Sequence, residues 1–317
     1  MFIRTAAVLA ALSGLSLSCL AQQPAAAAGK PEPARSTAPA ADSPTIQLAL
    51  LLDTSGSMSG LIDQAKTQLW SIVNDMTRAK MEGKRPQLRV ALYEYGKSSI
   101  PASEGYLRQI LPLTDDLDAV SAELFKLTTN GGEEYCGKVI KAATEGLSWT
   151  ASPRDLRIIV IAGNEPFTQG DIDYKQSVQA AVKKGVIVNT IFCGNESEGI
   201  QTSWKDGALL GEGTYGFIDQ NAASVHIEAP QDKELAELSG KLNTTYLAYG
   251  RLGGELKQRQ SLQDANAAGA GGAVAAERAA SKASGFYQNS AWDLVDAIKE
   301  NKVKLEDVKD EELPENM

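Results

Sequence analysis

Asp53, Ser55 and Ser57 occupy alternate positions of the hexapeptide Asp53-Thr54-Ser55-Gly56-Ser57-Met58. That spacing can turn three oxygen groups toward one point. Oxygen donors suit hard cations such as Mg²⁺, and short hydroxyls leave a six-coordinate ion room for water and for an open position. Asp, Ser and Gly also build ordinary turns, so context has to separate the two readings. The hexapeptide follows a continuous apolar run, Thr45 to Leu52, and precedes Leu61, Ile62, Ala65, Leu69, Ile72, Val73 and Met76, which recur at helical spacing. It therefore stands where a buried strand hands over to an amphipathic helix.

Other chemistry is poorly represented. A single histidine, His226, excludes multi-histidine zinc sites and leaves a Ser-His-Asp arrangement without support. The stretch Gly56-Ser-Met-Ser-Gly60 has Met58 where a nucleophile elbow needs its serine. Neither a G-x-G-x-x-G turn nor a Walker loop follows the first strand. The 31 Lys+Arg against 40 Asp+Glu, a net charge of −9, argue against nucleic-acid binding, which needs clustered cations on phosphates. Three cysteines are too few for a disulfide scaffold, and 43% hydrophobic residues suffice for a core.

The elements that must hold the hexapeptide alternate. Strands are expected at 45–52, around Leu88 to Leu92, at 107–113, at 156–162, at 186–193 and, briefly, at 215–218. Helices are expected at 61–76, 117–127, 134–147, 172–184 and 233–249, with a loop over 205–215. Strands interleaved with helices imply an α/β, doubly wound, mostly parallel sheet covered on both faces. Ligands in such sheets gather outside the carboxyl ends of the strands, which directs attention to the loops after Leu52, Leu127 and Ala162.

On the Asp53-to-Met58 loop, on Val90-Ala-Leu-Tyr-Glu-Tyr95 in the second strand and on the succession of elements, residues 44–250 resemble the von Willebrand factor type A domain family. The resemblance implies a doubly wound fold with a metal-ion-dependent adhesion site. Asp53, Ser55 and Ser57 match its first ligand loop. The family's second loop places a Thr after two glycines; here Asn130-Gly131-Gly132 is followed by Glu133, as in some branches of the family. The third loop supplies an Asp where this chain has Gly163, so that residue is not carried over; Asn164 and Glu165 stand beside it as candidate donors. The resulting expectation is a divergent site of Asp53, Ser55, Ser57 and Glu133 for Mg²⁺, Mn²⁺ or Ca²⁺. Its competitor is a degenerate loop in which Glu133 only caps a helix. The resemblance further implies a non-enzymatic domain that binds a protein partner, often through an acidic residue completing the metal's coordination. A metal-assisted hydrolase and a structural envelope protein are the alternatives.

Outside that span, residues 1–21 read as a secretory signal peptide, with a basic start, an apolar run too short to cross a bilayer and small residues before a cut after Ala21. A lipid tether on Cys19 is the competing reading, although Ser16-Leu17-Ser18 lacks the Leu expected three residues before such a cysteine. The chain is thus expected to be extracytoplasmic, periplasmic or secreted, without a membrane span. Residues 22–44 read as an Ala/Pro-rich linker. Asp264 to Gly272 reads as a second one, within a tail of 251–317 whose Trp292, Leu294, Val295 and Ile298 are expected to dock on the domain. Cys136 and Cys193 are a candidate disulfide, weighed against two separate buried thiols. Trp204 is expected to pin its loop to the body.

Overall fold

The computed structural model of the chain describes residues 43–77, 81, 83–218, 229–309 and 312–313. The expected signal peptide, Cys19, the linker up to residue 42 and His226 lie outside the described residues.

Strands and helices alternate as β1 (Thr45–Asp53), α1 (Ser59–Thr77), β2 (Gln87–Tyr95), β3 (Leu107–Thr114), α2 (Leu117–Lys126), α3 (Cys136–Gly146), β4 (Leu156–Gly163), α4 (Tyr174–Lys183), β5 (Val186–Cys193), α5 (Glu196–Gln201), α6 (Trp204–Leu210) and β6 (Glu212–Ile218). The six strands form one sheet in the order β3-β2-β1-β4-β5-β6. Only the β2–β3 pairing at the edge is antiparallel; every other pair is parallel. The chain order reverses between β2 and β4 on either side of β1, and this switch point opens a crevice at the strands' carboxyl ends.

Side-chain alternation divides the core. Ile46, Leu48, Leu50 and Leu52 of β1 pack with α1 and α2 on one face, whereas Ala49 and Leu51 pack with α3 and α4 on the other. The parity continues past the apolar run. Asp53 shares the face of Ala49 and Leu51, level with Tyr95 on β2, while Glu94 points to the opposite face. Two neighbouring strand ends thus send a carboxylate to each side of the sheet.

Several expectations change. The presumed loop over 205–215 is α6 followed by the start of β6; Trp204 is wholly buried against Phe167 and Phe192 and holds this helix down. The helix expected over 233–249 stops at Asn243, as α7 (Asp232–Asn243). Asp264 to Gly272 is not a linker. It closes α8 (Gly253–Ala270) and opens α9 (Gly272–Lys282), because its alanines are good helix formers once a partner surface holds them. No disulfide joins Cys136 and Cys193; both are free and buried, and they belong to the clusters on opposite faces of the sheet.

In the C-terminal region, completed by α10 (Leu294–Lys299), α9 docks on α1 and α8 on α2; of the four residues expected to dock, Trp292 and Leu294 are buried, whereas Val295 and Ile298 are exposed. Trp292 is buried with Tyr246 and Tyr287. Beneath them, the 1% exposed Arg278 lies 2.8 Å from Asp118 of α2 and 2.6 Å from Asp264 of α8, with its guanidinium 4.4 Å from the centre of the Trp70 ring. The Asp118 contact is an ion pair whose angles fall outside hydrogen-bonding geometry. Lys282 adds a second cation 2.8 Å from Asp264, and Ser281 donates to Asn74 at 2.8 Å. Among the described residues no helix is long and apolar enough to cross a membrane.

Candidate functional site at the sheet's carboxyl edge

The first loop turns immediately after β1. Asp53 is 0% exposed, and its Oδ1 accepts the Ser55 backbone N–H at 2.7 Å. This bond curls the loop so that Ser55 and Ser57 follow on the same side, their hydroxyl oxygens 3.4 Å apart. Adjacent oxygens of an octahedral Mg²⁺ site with bonds of about 2.0–2.1 Å stand roughly 3 Å apart, so the two hydroxyls are near that spacing. Met58, buried behind the loop, anchors it to the α1 face of the core. Asp53 Oδ2 is buried and has no hydrogen-bond partner of normal geometry, although the Asn164 backbone N–H faces the same carboxylate.

The second loop delivers a carboxylate, but from a different residue than the glycine spacing suggests. Glu133 is exposed and turns outward, where Gln169 Nε2 donates to it at 3.4 Å. Glu134 is the buried one, 6% exposed, and packs beside Asp53 and Ser55. Gln169 decides the choice: its Oε1 accepts the Glu134 backbone N–H at 2.8 Å while its amide nitrogen holds Glu133 outside. Gly96, at φ +79°, lets the turn after β2 pass close by; a Cβ there would come within 2.7 Å of Asp53 Oδ1 and 2.8 Å of Glu134 Cγ.

The third loop explains the missing Asp. A Cβ at Gly163 would lie 2.5 Å from the Tyr95 hydroxyl and 3.1 Å from Asp53 Oδ2. Tyr95 donates to the Ala162 carbonyl at 2.9 Å and fills the place of any side chain at 163. Asn164 nevertheless reaches the site, its Nδ2 3.4 Å from Ser57 Oγ and its Oδ1 buried without a partner. Glu165 stands close enough for its charge to act on both Asp53 and Glu134. Its backbone carbonyl accepts the Trp204 indole N–H at 2.8 Å, which fixes the third loop to α6.

Electrostatically the site is strained toward the proton. Burial pushes Asp53 up to about 7 against the opposing Ser55 and Asn164 donors, and the Glu165 charge adds to the rise. Glu134 is pushed up to about 7 as well, first by burial and then by the charge of Asp53. Among the described residues no Lys or Arg forms an ion pair with either one. Both cysteines lie nearby, and burial raises each thiol well above its ordinary value, so neither is an activated nucleophile.

The arrangement therefore joins Asp53, Ser55, Ser57, Glu134 and Asn164, with Glu165 close by, and leaves Glu133 on the rim. Among the described residues no three His, Cys, Asp or Glu side chains converge on a single point; the donor set is two carboxylates completed by hydroxyls and an amide. Sequence spacing found the first loop. It missed Glu134 and Tyr95, because side-chain direction in the second loop depends on Gln169, which lies 35 residues away from Glu134.

Residues 47–200 match the family model described as the von Willebrand factor type A domain. The matched segment runs from β1 to α5 and includes all three loops; α6, β6 and the C-terminal helices lie beyond it. Among solved structures, the chain is similar to an aerotolerance-related membrane protein from Bacteroides fragilis NCTC 9343, solved with multiple mutations to serine, at 16% identity and TM-score 0.37 over 55% of this chain and 92% of that one. It is similar to the SpRpn10 VWA domain at 16% identity and TM-score 0.41 over 55% of this chain and 87% of that one. For the conserved hypothetical protein BatB from Bacteroides thetaiotaomicron the figures are 15%, 0.40, 69% and 98%. No curated protein matches the chain.

Proposed function

We propose that this chain is an exported, non-enzymatic interaction module that engages a protein partner through a hard divalent cation, Mg²⁺ or else Mn²⁺ or Ca²⁺, at the sheet's carboxyl edge. Asp53, Ser55, Ser57 and Glu134 would hold the ion, Asn164 and Glu165 would stand at its margin, and Glu133 would meet the partner from the rim. The observation that carries this reading is the Asp53 carboxylate. Its Oδ2 is buried without a hydrogen bond, and a second buried carboxylate lies beside it with no cationic side chain to balance the pair. Burial and the mutual repulsion of the two groups oppose their joint ionisation, and a bound cation would relieve both. An all-oxygen donor set suits a hard ion, and a bound ion supplies a concentrated positive charge that a partner's carboxylate satisfies. The family match over all three loops supports the same reading.

A metal-free structural role is the second reading, favoured by the lack of any three-residue His, Cys, Asp or Glu cluster among the described residues. Titration calorimetry with Mg²⁺, Mn²⁺ and Ca²⁺ separates the two. The cation reading expects saturable binding that Asp53→Asn and Glu134→Gln abolish and Glu133→Gln leaves in place. Absence of binding to the wild type supports the metal-free role. Metal-dependent capture of a native envelope partner, lost on Asp53→Ala, tests the interaction itself.

A further inference from the structure

One buried carboxylate near the site is used by neither reading. Glu94 stands one residue before the end of β2, on the sheet face opposite Asp53, paired in register with Leu52 of β1 and Arg108 of β3. Its side chain is 0% exposed. It accepts from the Thr54 hydroxyl at 3.3 Å and from Lys97 Nζ at 3.4 Å, and it meets Arg108 Nε in a close ion pair. Lys97 in turn donates to the Thr128 hydroxyl at 3.0 Å, at the root of the second loop.

Thr54 is the residue between Asp53 and Ser55, and it is wholly buried. Its N–H donates to the Tyr95 carbonyl at 2.8 Å, and its carbonyl accepts the Asn130 N–H at 3.1 Å. The first and second loops are thus tied together at Thr54. The remaining freedom of Thr54 is its hydroxyl, which is shared between two acceptors, the Tyr95 carbonyl at 3.2 Å and the Glu94 carboxylate at 3.3 Å. From one carboxylate the connections run to loop one through Thr54, to loop two through Lys97 and Thr128, and to the edge strand through Arg108.

We infer that Glu94 is the positioning residue of the candidate cation site, setting the orientation of the Asp53–Ser57 loop against the second loop through Thr54 and Lys97 without touching the ion. The inference rests on the cation reading above. It follows from how a buried carboxylate behaves: with two cations and a hydroxyl satisfied, it is held in one geometry, and it fixes whatever it binds. Partners that orient ligands in this way typically change metal affinity by 10–100-fold when removed, as an order of magnitude.

The test is Mg²⁺ titration calorimetry on the full chain as wild type, Glu94→Gln, Thr54→Val, Arg108→Gln and the double variant Glu94→Gln/Arg108→Gln. It is paired with amide hydrogen exchange at Thr54 and Asn130 in the metal-free protein. Glu94→Gln is expected to weaken Mg²⁺ binding by about tenfold and to speed exchange at both amides. Thr54→Val cuts the same connection while leaving Glu94 paired with its cations, so it should weaken binding too and stands in if Glu94→Gln fails to fold. The double variant restores the charge balance but still has a neutral amide in place of the charge-assisted acceptor, and it should bind as weakly as Glu94→Gln. Wild-type affinity in Glu94→Gln, or recovery in the double variant, overturns the inference, the latter by showing that charge alone is at work. A wild type silent to all three cations overturns the cation reading and this inference with it, whereas a binding wild type with an unaffected Glu94→Gln overturns this inference only.

Discussion

Among the described residues, two clusters of carboxylates are treated differently. At the junction of the domain with its C-terminal helices, Asp118 and Asp264 face Arg278 and Lys282, and each charge has an opposite within 2.8 Å. At the sheet edge, Asp53 and Glu134 lie beside each other among backbone amides, hydroxyls, the amide of Asn164 and the further carboxylate of Glu165, with no cationic partner among the described residues. A buried charge needs a partner, because desolvation costs several kcal/mol per ion. Where the chain supplies the partner the cluster is structural. Where it does not, the missing charge has to come from outside, as a proton or as a metal. Glu94 sharpens the contrast, since it lies one residue from Tyr95 and is fully compensated by Arg108 and Lys97.

The largest expected effect lies in the compensated cluster. Arg278→Met leaves the buried Asp118 without its cation, leaves the partly buried Asp264 with Lys282 alone and removes the stacking on Trp70, so it should destabilise the protein by about 3–5 kcal/mol, measured by urea unfolding. A loss below about 1 kcal/mol would mean that the junction is held by its aromatic and aliphatic packing alone. The opposite response is expected at the sheet edge: Asp53→Asn in metal-free protein should be neutral or slightly stabilising, within about 1 kcal/mol.

Next in size is Gly163→Asp, which would restore the residue that the family resemblance expects. A Cβ at position 163 would sit 2.5 Å from the Tyr95 hydroxyl and 3.1 Å from Asp53 Oδ2, so the change should lower stability by about 1–3 kcal/mol. It should not improve cation binding. Adding Tyr95→Phe removes the hydroxyl and should recover part of the loss in a thermal melt. Full tolerance of Gly163→Asp alone would show that the strand ends can open.

How much of this was legible in the sequence varies with the kind of signal. The apolar run of β1 and the 3.6-residue spacing of α1 declared themselves, and with them the position of Asp53, Ser55 and Ser57, because local periodicity determines local structure. The register that sets Tyr95 beside Gly163 depends on strand pairing across more than sixty residues, so the reason for the missing Asp could not be read. The choice of Glu134 over Glu133 depends on Gln169 in the same way. Asp264 to Gly272 misled because its composition is that of a linker. Its helices are held by Arg278, by α2 under α8 and by α1 under α9, and a hydrophobicity pattern carries no trace of an ion pair.

A smaller effect should follow acidification. Burial pushes Asp264 up, but Arg278 and Lys282 outweigh it and hold the carboxyl below its ordinary value. A depressed folded value means that the stabilisation is present above the unfolded carboxylate range, about 3.9, and is lost as pH falls through the lower folded value. In metal-free protein the raised values of Asp53 and Glu134 should make urea midpoints rise as pH falls from about 7 to 5, whereas the Asp264 contribution lowers them below about pH 4, with Asp264→Asn flattening only that last part of the profile. A profile unchanged by Asp264→Asn would remove the junction from the acid response.

Everything proposed for the sheet edge depends on one statement, that it lacks a positive charge which a divalent cation supplies. Mg²⁺ titration calorimetry of the wild type beside Glu134→Gln puts that statement at risk with the fewest intermediate assumptions. Saturable binding is expected in the wild type and its loss in Glu134→Gln, with Glu133→Gln close to the wild type. Equal binding by wild type and Glu134→Gln, or no binding by either, would refute it.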